Sequence, residues 1–141
     1  ITNWVANLAN CSLLVWHAYH SIGVKVNWAG FYVLDPKNNE SLILGPFQGK
    51  VACQEIAIGK GVCGTAAATL QTQVVTDVEK FPGHIACDGE TKSEIVVPFV
   101  NRSGEFVGLL DIDCLTLGGF DEVDKKYLEE LVKKVASSSE W

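Results

Sequence analysis

The spacing of apolar and polar positions predicts three helices and six short strands. In residues 2–19, large apolar side chains such as Leu8, Val15 and Tyr19 recur at the period of an amphipathic helix. A shorter helix is predicted at residues 61–71, and strands at residues 26–34, 41–44, 55–58, 73–75, 94–100 and 106–113. Asp121 is placed to cap the last helix, whose predicted buried stripe comprises Val123, Tyr127, Leu128, Leu131, Val132 and Val135.

Turn-forming residues separate these strands and predict hairpins. Residues 36–39 and 101–104 are rich in proline, asparagine, glycine and serine, which favour tight turns between neighbouring strands. We therefore expect an α+β fold with a mainly antiparallel sheet covered by helices, as one domain over residues 1–141. Residues 77–91 show no regular pattern, and ordered loops of this length usually carry function.

Composition narrows the class of protein. A net charge of −6 disfavours nucleic acid and anionic membranes as partners. No apolar run approaches the roughly 20 residues of a membrane span, and the first residues do not form a secretory signal. The five cysteines include no close C-x-x-C pair, which favours free thiols in a reducing, cytoplasmic setting. Because the chain contains no methionine, we expect that it begins after the natural start.

Acidic and aromatic side chains gather on predicted strands. Asp111 and Asp113 are two residues apart and therefore share one strand face, and Glu94 opens the neighbouring strand. Trp28 and Tyr32, four residues apart, also share a face. Together they could form a cup with an acidic floor and an aromatic wall, suited to a small zwitterionic ligand. The alternative is that the aspartates are solvated at a strand end and that Trp28 is a core residue.

Candidate nucleophiles are thiols near the long loop. Cys87 lies three residues after His84, and an imidazolium or backbone N–H groups could favour its thiolate. A loop cysteine can equally be incidental. The spacing of Cys53, Cys63, His84 and Cys87 matches no common zinc pattern, so no metal site is predicted. A Cys/His hydrolase would need an orienting third group, and the sequence identifies none.

Several motifs resemble those of one enzyme family. They are Asn27-Trp28-Ala29-Gly30-Phe31-Tyr32, Gly45-Pro46-Phe47-Gln48-Gly49-Lys50, Gly61-Val62-Cys63-Gly64-Thr65, Phe81-Pro82-Gly83-His84-Ile85-Ala86-Cys87-Asp88, Ser93-Glu94-Ile95-Val96 and Leu110-Asp111-Ile112-Asp113. In this order they resemble the free methionine-(R)-sulfoxide reductases, which are GAF-domain enzymes. The resemblance runs from the first helix to the last and is strongest to fungal members. Family members usually carry a further N-terminal segment.

The resemblance implies a thiol mechanism without metal or organic cofactor. Cys87 corresponds to the family's attacking cysteine, which becomes a sulfenic acid as free methionine-(R)-sulfoxide is reduced. Cys53 corresponds to the resolving cysteine that forms a disulfide with Cys87, and thioredoxin is expected to reduce that disulfide. Cys63 corresponds to a third, auxiliary cysteine. No role is assigned to Cys11 or Cys114.

The resemblance also implies a substrate site. Glu94, Asp111 and Asp113 form its acidic part, with Glu94 favoured as the proton donor, and Trp28 and Tyr32 form its aromatic wall. Backbone N–H groups of His84, Ile85, Ala86 and Cys87 are expected to bind the substrate carboxylate. The chain is compatible with a homodimer. A non-catalytic GAF sensor of small ligands, or a Cys53–Cys87 redox switch, are the alternatives to an enzyme.

Overall fold

A computed structural model describes residues 1–84 and 87–141. Its helices are α1 (Trp4–Ser21), α2 (Gly61–Thr69) and α3 (Glu122–Ser137). Its strands are β1 (Val26–Asp35), β2 (Asn38–Gly49), β3 (Glu55–Ala57), β4 (Gln73–Val75), β5 (Ser93–Val100) and β6 (Phe106–Cys114). A short 3₁₀ helix spans Val78–Lys80. The predicted α+β class is confirmed.

The six strands form one antiparallel sheet in the order β3-β2-β1-β6-β5-β4. Strands β2, β1, β6 and β5 therefore have paired neighbours on both sides, and β3 and β4 form the edges. Side chains alternate between the two faces of each strand, so each central strand contributes to two different environments.

One face of the sheet packs against α1 and α3, and the other against α2 and two long loops. The first core includes Leu8, Val15, Phe31, Ile95, Leu110, Ile112, Leu128 and Val132. The second includes Tyr32, Leu42, Val62, Ala66, Val96 and Leu109. Nearly all of the predicted functional side chains belong to the second face or to its loops.

Strand β2 is longer than the predicted strand at residues 41–44. The hairpin needs only Pro36 and Lys37 as its turn, so Asn38 already pairs with Asp35. Beyond residue 44, β2 continues through a register shift that lies between Gly30 and Tyr32 of β1 and accommodates the turn-prone residues Gly45 and Pro46. Helix α2 ends at Thr69, before the predicted residue 71, because Leu70 adopts a left-handed conformation with φ of 55°.

The predicted stripe of α3 is partly wrong. Leu128 and Val132 are buried as expected, together with Ala136 one turn later. Val123 and Tyr127 are 61% and 60% exposed, because they line an open apolar groove between α3 and α1 rather than the sheet. The predicted cap is confirmed: the Asp121 carboxylate accepts hydrogen bonds from backbone N–H groups in the first turn.

Among the described residues, no helix combines the length and apolar character that crossing a bilayer requires.

Candidate active site

A cavity of about 50 Å³ lies on the α2 face of the sheet. Seven residues predicted for the site line it: Trp28, Tyr32, Cys63, His84, Cys87, Glu94 and Asp111. Asp113 stands beside Glu94 but is not among the described residues that line the cavity. Ile85 and Ala86, expected to donate backbone hydrogen bonds, lie outside the described residues. The structure thus brings most of the predicted set together.

The register of the central strands assembles the acidic floor. Glu94 on β5 lies directly opposite Asp113 on β6, and Asp111 lies two residues away on the same face. Glu94 and Asp111 are each only 6% exposed. One carboxyl oxygen of Asp111 and one of Asp113 are buried without a hydrogen-bond partner among the described residues. Buried acceptors of this kind normally have a donor, so the arrangement suits a ligand that brings one.

The acidic side chains favour each other's protonated forms. Burial, followed by the charge of Asp111, raises the pKa of Glu94 well above its usual value. Burial and the nearby Asp113 raise the pKa of Asp111 in the same way. Burial and Glu94 raise the pKa of Asp113. A protonated carboxyl can donate a hydrogen bond, so this floor can supply a proton as well as accept one.

These shifts predict that the protein loses stability as pH rises. A carboxyl group whose pKa is raised in the folded state binds its proton more tightly there than in the unfolded chain. Its favourable contribution is therefore full below the unfolded pKa of roughly 4 and is lost as pH rises through the higher folded pKa. The free energy of unfolding, measured by urea denaturation, should fall as the pH is raised above the unfolded pKa of roughly 4.

The variant Glu94→Gln should show a smaller fall than the parent, because its amide does not ionise. Glu129→Gln is the matched control, since Glu129 is exposed on α3, far from the cavity. Equal pH dependence in the two variants would show that the Glu94 carboxyl ionises as it would in water.

The aromatic wall comes from β1 and β2. Trp28 stacks on Tyr32 with ring centroids 5.8 Å apart, and on Phe47 at 5.1 Å. Their polar atoms hold the chain that follows β2: Trp28 Nε1 donates to the Lys50 carbonyl at 3.2 Å, and Tyr32 Oη donates to the Cys53 carbonyl at 2.8 Å. The wall therefore also fixes one edge of the cavity.

Cys53 and Cys87 are joined by a disulfide at the rim of the cavity. Their Cα atoms lie 5.6 Å apart, although 34 positions separate them in the sequence. Cys53 is half-buried between β2 and β3, and Cys87 is exposed in the loop after the 3₁₀ helix. The pairing is the one that the resemblance implied. An exposed disulfide beside a cavity is accessible to an external dithiol.

Cys63 is buried in the first turn of α2, inside the cavity. Burial, followed by the charges of Asp111 and Glu94, raises the pKa of its thiol well above the usual value. Gly64 permits this placement, because a Cβ there would lie 2.5 Å from the Ala57 carbonyl oxygen. Cys63 is therefore a poor thiolate, chiefly because it is buried.

Three side chains could together hold a metal ion. The Cys63 sulfur and one carboxyl oxygen each from Glu94 and Asp111 all lie within 4.8 Å of one another. The alternative zinc set weighed from the sequence does not form, because its members Cys53 and Cys87 share their sulfurs in the disulfide.

Two further residues belong to the site and were missed by the sequence reasoning. Lys60 lines the cavity immediately before α2, and Asp88 lines it next to Cys87. Asn27, which does not line the cavity, donates to Asp88 from outside it. Lys60 lies between two glycines at the start of a predicted helix, and this pattern is the signal by which the sequence could have identified it.

His84 lines the cavity as predicted, and burial, opposed by Glu79, lowers the pKa of its imidazole. The neutral ring is favoured over the imidazolium considered from the sequence.

Comparison with known proteins agrees with this geometry. Residues 14–138 match the GAF domain family. The free methionine-R-sulfoxide reductase of Saccharomyces cerevisiae is 63% identical over 136 residues, covering 96% of this chain and 76% of that protein. A solved structure of the GAF domain superposes with a TM-score of 0.97 at 61% identity, covering 99% of this chain and 79% of the other.

A third relative extends the comparison to a bound state. The X-ray structure of free methionine-R-sulfoxide reductase from Neisseria meningitidis in complex with its substrate has a TM-score of 0.88 and 45% identity, covering 96% of this chain and 77% of that one. The sheet order, the acidic cavity and these identities lead to one assignment: this chain belongs to the free methionine-R-sulfoxide reductase family of GAF-domain proteins.

Proposed function

We propose that the protein reduces free L-methionine-(R)-sulfoxide to L-methionine, with Cys87 as the nucleophile. The observation that carries the proposal is the Cys53–Cys87 disulfide at the rim of a cavity with buried, proton-holding carboxyl groups. Such a cavity supplies what sulfoxide reduction needs: a sulfur nucleophile, a proton for the departing oxygen, and a second thiol to remove the sulfenic acid.

The first step transfers oxygen from the substrate to Cys87. The Cys87 thiolate attacks the sulfoxide sulfur while a carboxylic acid, with Glu94 as our choice, protonates the oxygen. The attack forms a bond between the two sulfurs. The protonated oxygen then passes from the substrate sulfur to the Cys87 sulfur as the sulfur–sulfur bond breaks, so methionine leaves and Cys87 carries a sulfenic acid. The substrate sulfur gains two electrons and the Cys87 sulfur loses two.

The second step closes the disulfide and releases water. The Cys53 thiol condenses with the sulfenic acid, which gives the disulfide seen in the structure. An external dithiol such as thioredoxin then returns both cysteines to thiols. Cys63 lies close enough to the same cavity to serve as an auxiliary thiol.

Recognition of the free amino acid follows from the charges at the cavity. Asp111, which lines the cavity and has an unpaired carboxyl oxygen, can accept a hydrogen bond from the substrate ammonium. Asp113 stands outside the described lining and would contribute through its contact with Glu94. Lys60 supplies positive charge for the substrate carboxylate, in addition to backbone N–H groups of the loop carrying His84 and Cys87. Trp28 and Tyr32 would pack against the methyl sulfoxide end of the substrate.

A coupled assay tests the proposal. With thioredoxin, its reductase and NADPH, the protein should turn over free methionine-(R)-sulfoxide continuously. The N-acetylated, C-amidated analogue should have a kcat/KM lower by about 10⁴-fold, since it leaves buried polar groups without partners. The (S)-sulfoxide serves as the stereochemical control. Failure to form methionine from free methionine-(R)-sulfoxide would refute the proposal, and equal rates for the free and blocked (R)-sulfoxides would refute the recognition scheme.

The proposal places the protein in a reducing compartment such as the cytoplasm, where an external dithiol is available. It also allows two copies to pair, for which the exposed apolar side chains along α1 and α3 would provide contact surface.

A further inference from the structure

Both disulfide-forming cysteines lie in loops, so their separation depends on what holds those loops. Cys53 lies between β2 and β3, and Cys87 lies between the 3₁₀ helix and β5. Cys53 is half-buried and packs against the edge of the second core, whereas Cys87 is exposed. Polar contacts from a rigid element can restrain both loops further and so hold the two sulfurs within reach of each other.

Strand β1 supplies such contacts to the Cys53 loop. Tyr32, which is buried in the middle of the sheet, donates its hydroxyl to the backbone carbonyl of Cys53 itself at 2.8 Å. Trp28 donates to the carbonyl of Lys50, three residues earlier, at 3.2 Å. The chain leading to the resolving thiol is therefore tied to β1 at two points.

The same strand holds the Cys87 loop through Asn27. Its side-chain amide donates to Asp88 Oδ2 at 3.0 Å and to Thr91 Oγ1 at 3.0 Å. Asp88 directly follows Cys87, and its other oxygen accepts from the Glu90 backbone N–H at 2.9 Å. One amide group thus ties both ends of the turn that follows Cys87.

A β-bulge explains how neighbouring residues of β1 serve different loops. The pairing of β1 with β6 shifts register between Val26 and Trp28, so Asn27 falls at the irregularity. Adjacent strand residues normally point to opposite faces, and a bulge redirects a side chain locally. Asn27 consequently reaches the Cys87 loop, while Trp28 contacts the loop of Cys53.

We propose that Asn27 is a positioning residue for the resolving step, holding the Cys87 loop at the distance from β1 at which Cys53 can reach it. The inference rests on the proposed function. In that step the Cys53 sulfur attacks the sulfenic sulfur of Cys87, and the sulfur–sulfur bond forms as the sulfur–oxygen bond breaks. The hydroxyl leaves as water with the proton of the Cys53 thiol. Asn27 touches neither sulfur and acts through Asp88 and Thr91 alone.

The test compares Asn27→Ala with Asn10→Ala, because Asn10 is an exposed asparagine of α1 distant from the cavity. Reduced protein is mixed with one equivalent of substrate, and methionine, remaining thiols and dimedone-trapped sulfenic acid are measured over time. In Asn27→Ala, methionine formation should stay within about twofold of the parent while disulfide formation slows at least about tenfold, since small misplacements of reacting groups have large rate effects. Asn10→Ala should match the parent in both steps.

A second measurement needs no substrate. Equilibration with glutathione reports how well the fold holds the two thiols together. For Asn27→Ala, the equilibrium constant for disulfide formation should fall at least about tenfold, which corresponds to about 30 mV. If the parent protein forms no methionine, the proposed function fails, and the glutathione equilibrium still decides the role of Asn27.

Exchanging donor and acceptor provides the rescue. In the double variant Asn27→Asp with Asp88→Asn, the amide introduced at position 88 donates to the carboxylate introduced at position 27. The Thr91 hydroxyl, which accepts a hydrogen bond in the parent, can donate one to the same carboxylate. Disulfide formation should return to within about threefold of the parent, as expected for two coupled residues. Unchanged disulfide formation and an unchanged glutathione equilibrium in Asn27→Ala would overturn the proposal. The proposal would also be overturned if Asn27→Ala slowed methionine formation and disulfide formation together and the double variant restored neither.

Discussion

Cys87→Ser is expected to form no methionine, even when the protein is present in excess over substrate. A serine hydroxyl at this position is far less nucleophilic than a thiolate and cannot carry the transferred oxygen as a sulfenic acid. The loss should therefore appear in the first turnover, before any recycling thiol is needed. Quenching a single turnover and measuring methionine chromatographically checks this directly.

The matched control is Cys11→Ala, because Cys11 is a buried thiol on α1 at the opposite face of the sheet. Burial raises the pKa of Cys11 to about 11, so it is an inert packing residue. This variant should form one methionine per chain at the parent rate. Methionine production by Cys87→Ser would mean that another thiol is the nucleophile. Cys63 would be the first to examine, because it lines the same cavity.

Cys53→Ala should form one methionine per chain and then stop. The oxygen-transfer step requires only Cys87 and the acidic floor, so the first turnover should be preserved. Turnover with thioredoxin should fall at least about 100-fold, since the resolving thiol and its high effective concentration are lost. Mass spectrometry of the stalled protein should find a dimedone adduct on Cys87.

Sustained thioredoxin-driven turnover by Cys53→Ala would show that another thiol resolves the sulfenic acid. The double variant Cys53→Ala with Cys63→Ala then distinguishes a role of Cys63 from direct attack by thioredoxin. A loss of the first turnover in Cys53→Ala would instead mean that this cysteine takes part in oxygen transfer.

Features set by local periodicity could be predicted from the sequence. The two-residue repeat of a strand places Asp111 and Asp113 on one face and Ile112 on the other, and the structure has Ile112 fully buried against the helices. The cap formed by Asp121 likewise depends on residues only two and three positions away. In both cases the deciding contacts lie within one turn or one strand.

Features set by distant parts of the chain could not be predicted in this way. The pairing of Glu94 with Asp113 depends on the register between two strands, and the role of Asn27 depends on a bulge opposite β6. The exposure of Tyr127 depends on how far α1 stands from α3. The Cys53–Cys87 pairing was implied by family resemblance, since the spacing of the five cysteines leaves several pairings open.

The alternation along β6 restricts how this part of the sequence can change during evolution. Leu110 and Ile112 enter the helix-covered core, while Asp111 faces the cavity between them. Inserting or deleting one residue here would exchange the two sets, placing carboxylates in the core and aliphatic side chains at the catalytic surface. Substitutions at single positions can be selected one at a time, but a change in length would remove folding and chemistry together. We therefore expect the spacing of this segment to tolerate change less well than the identity of any single apolar residue within it.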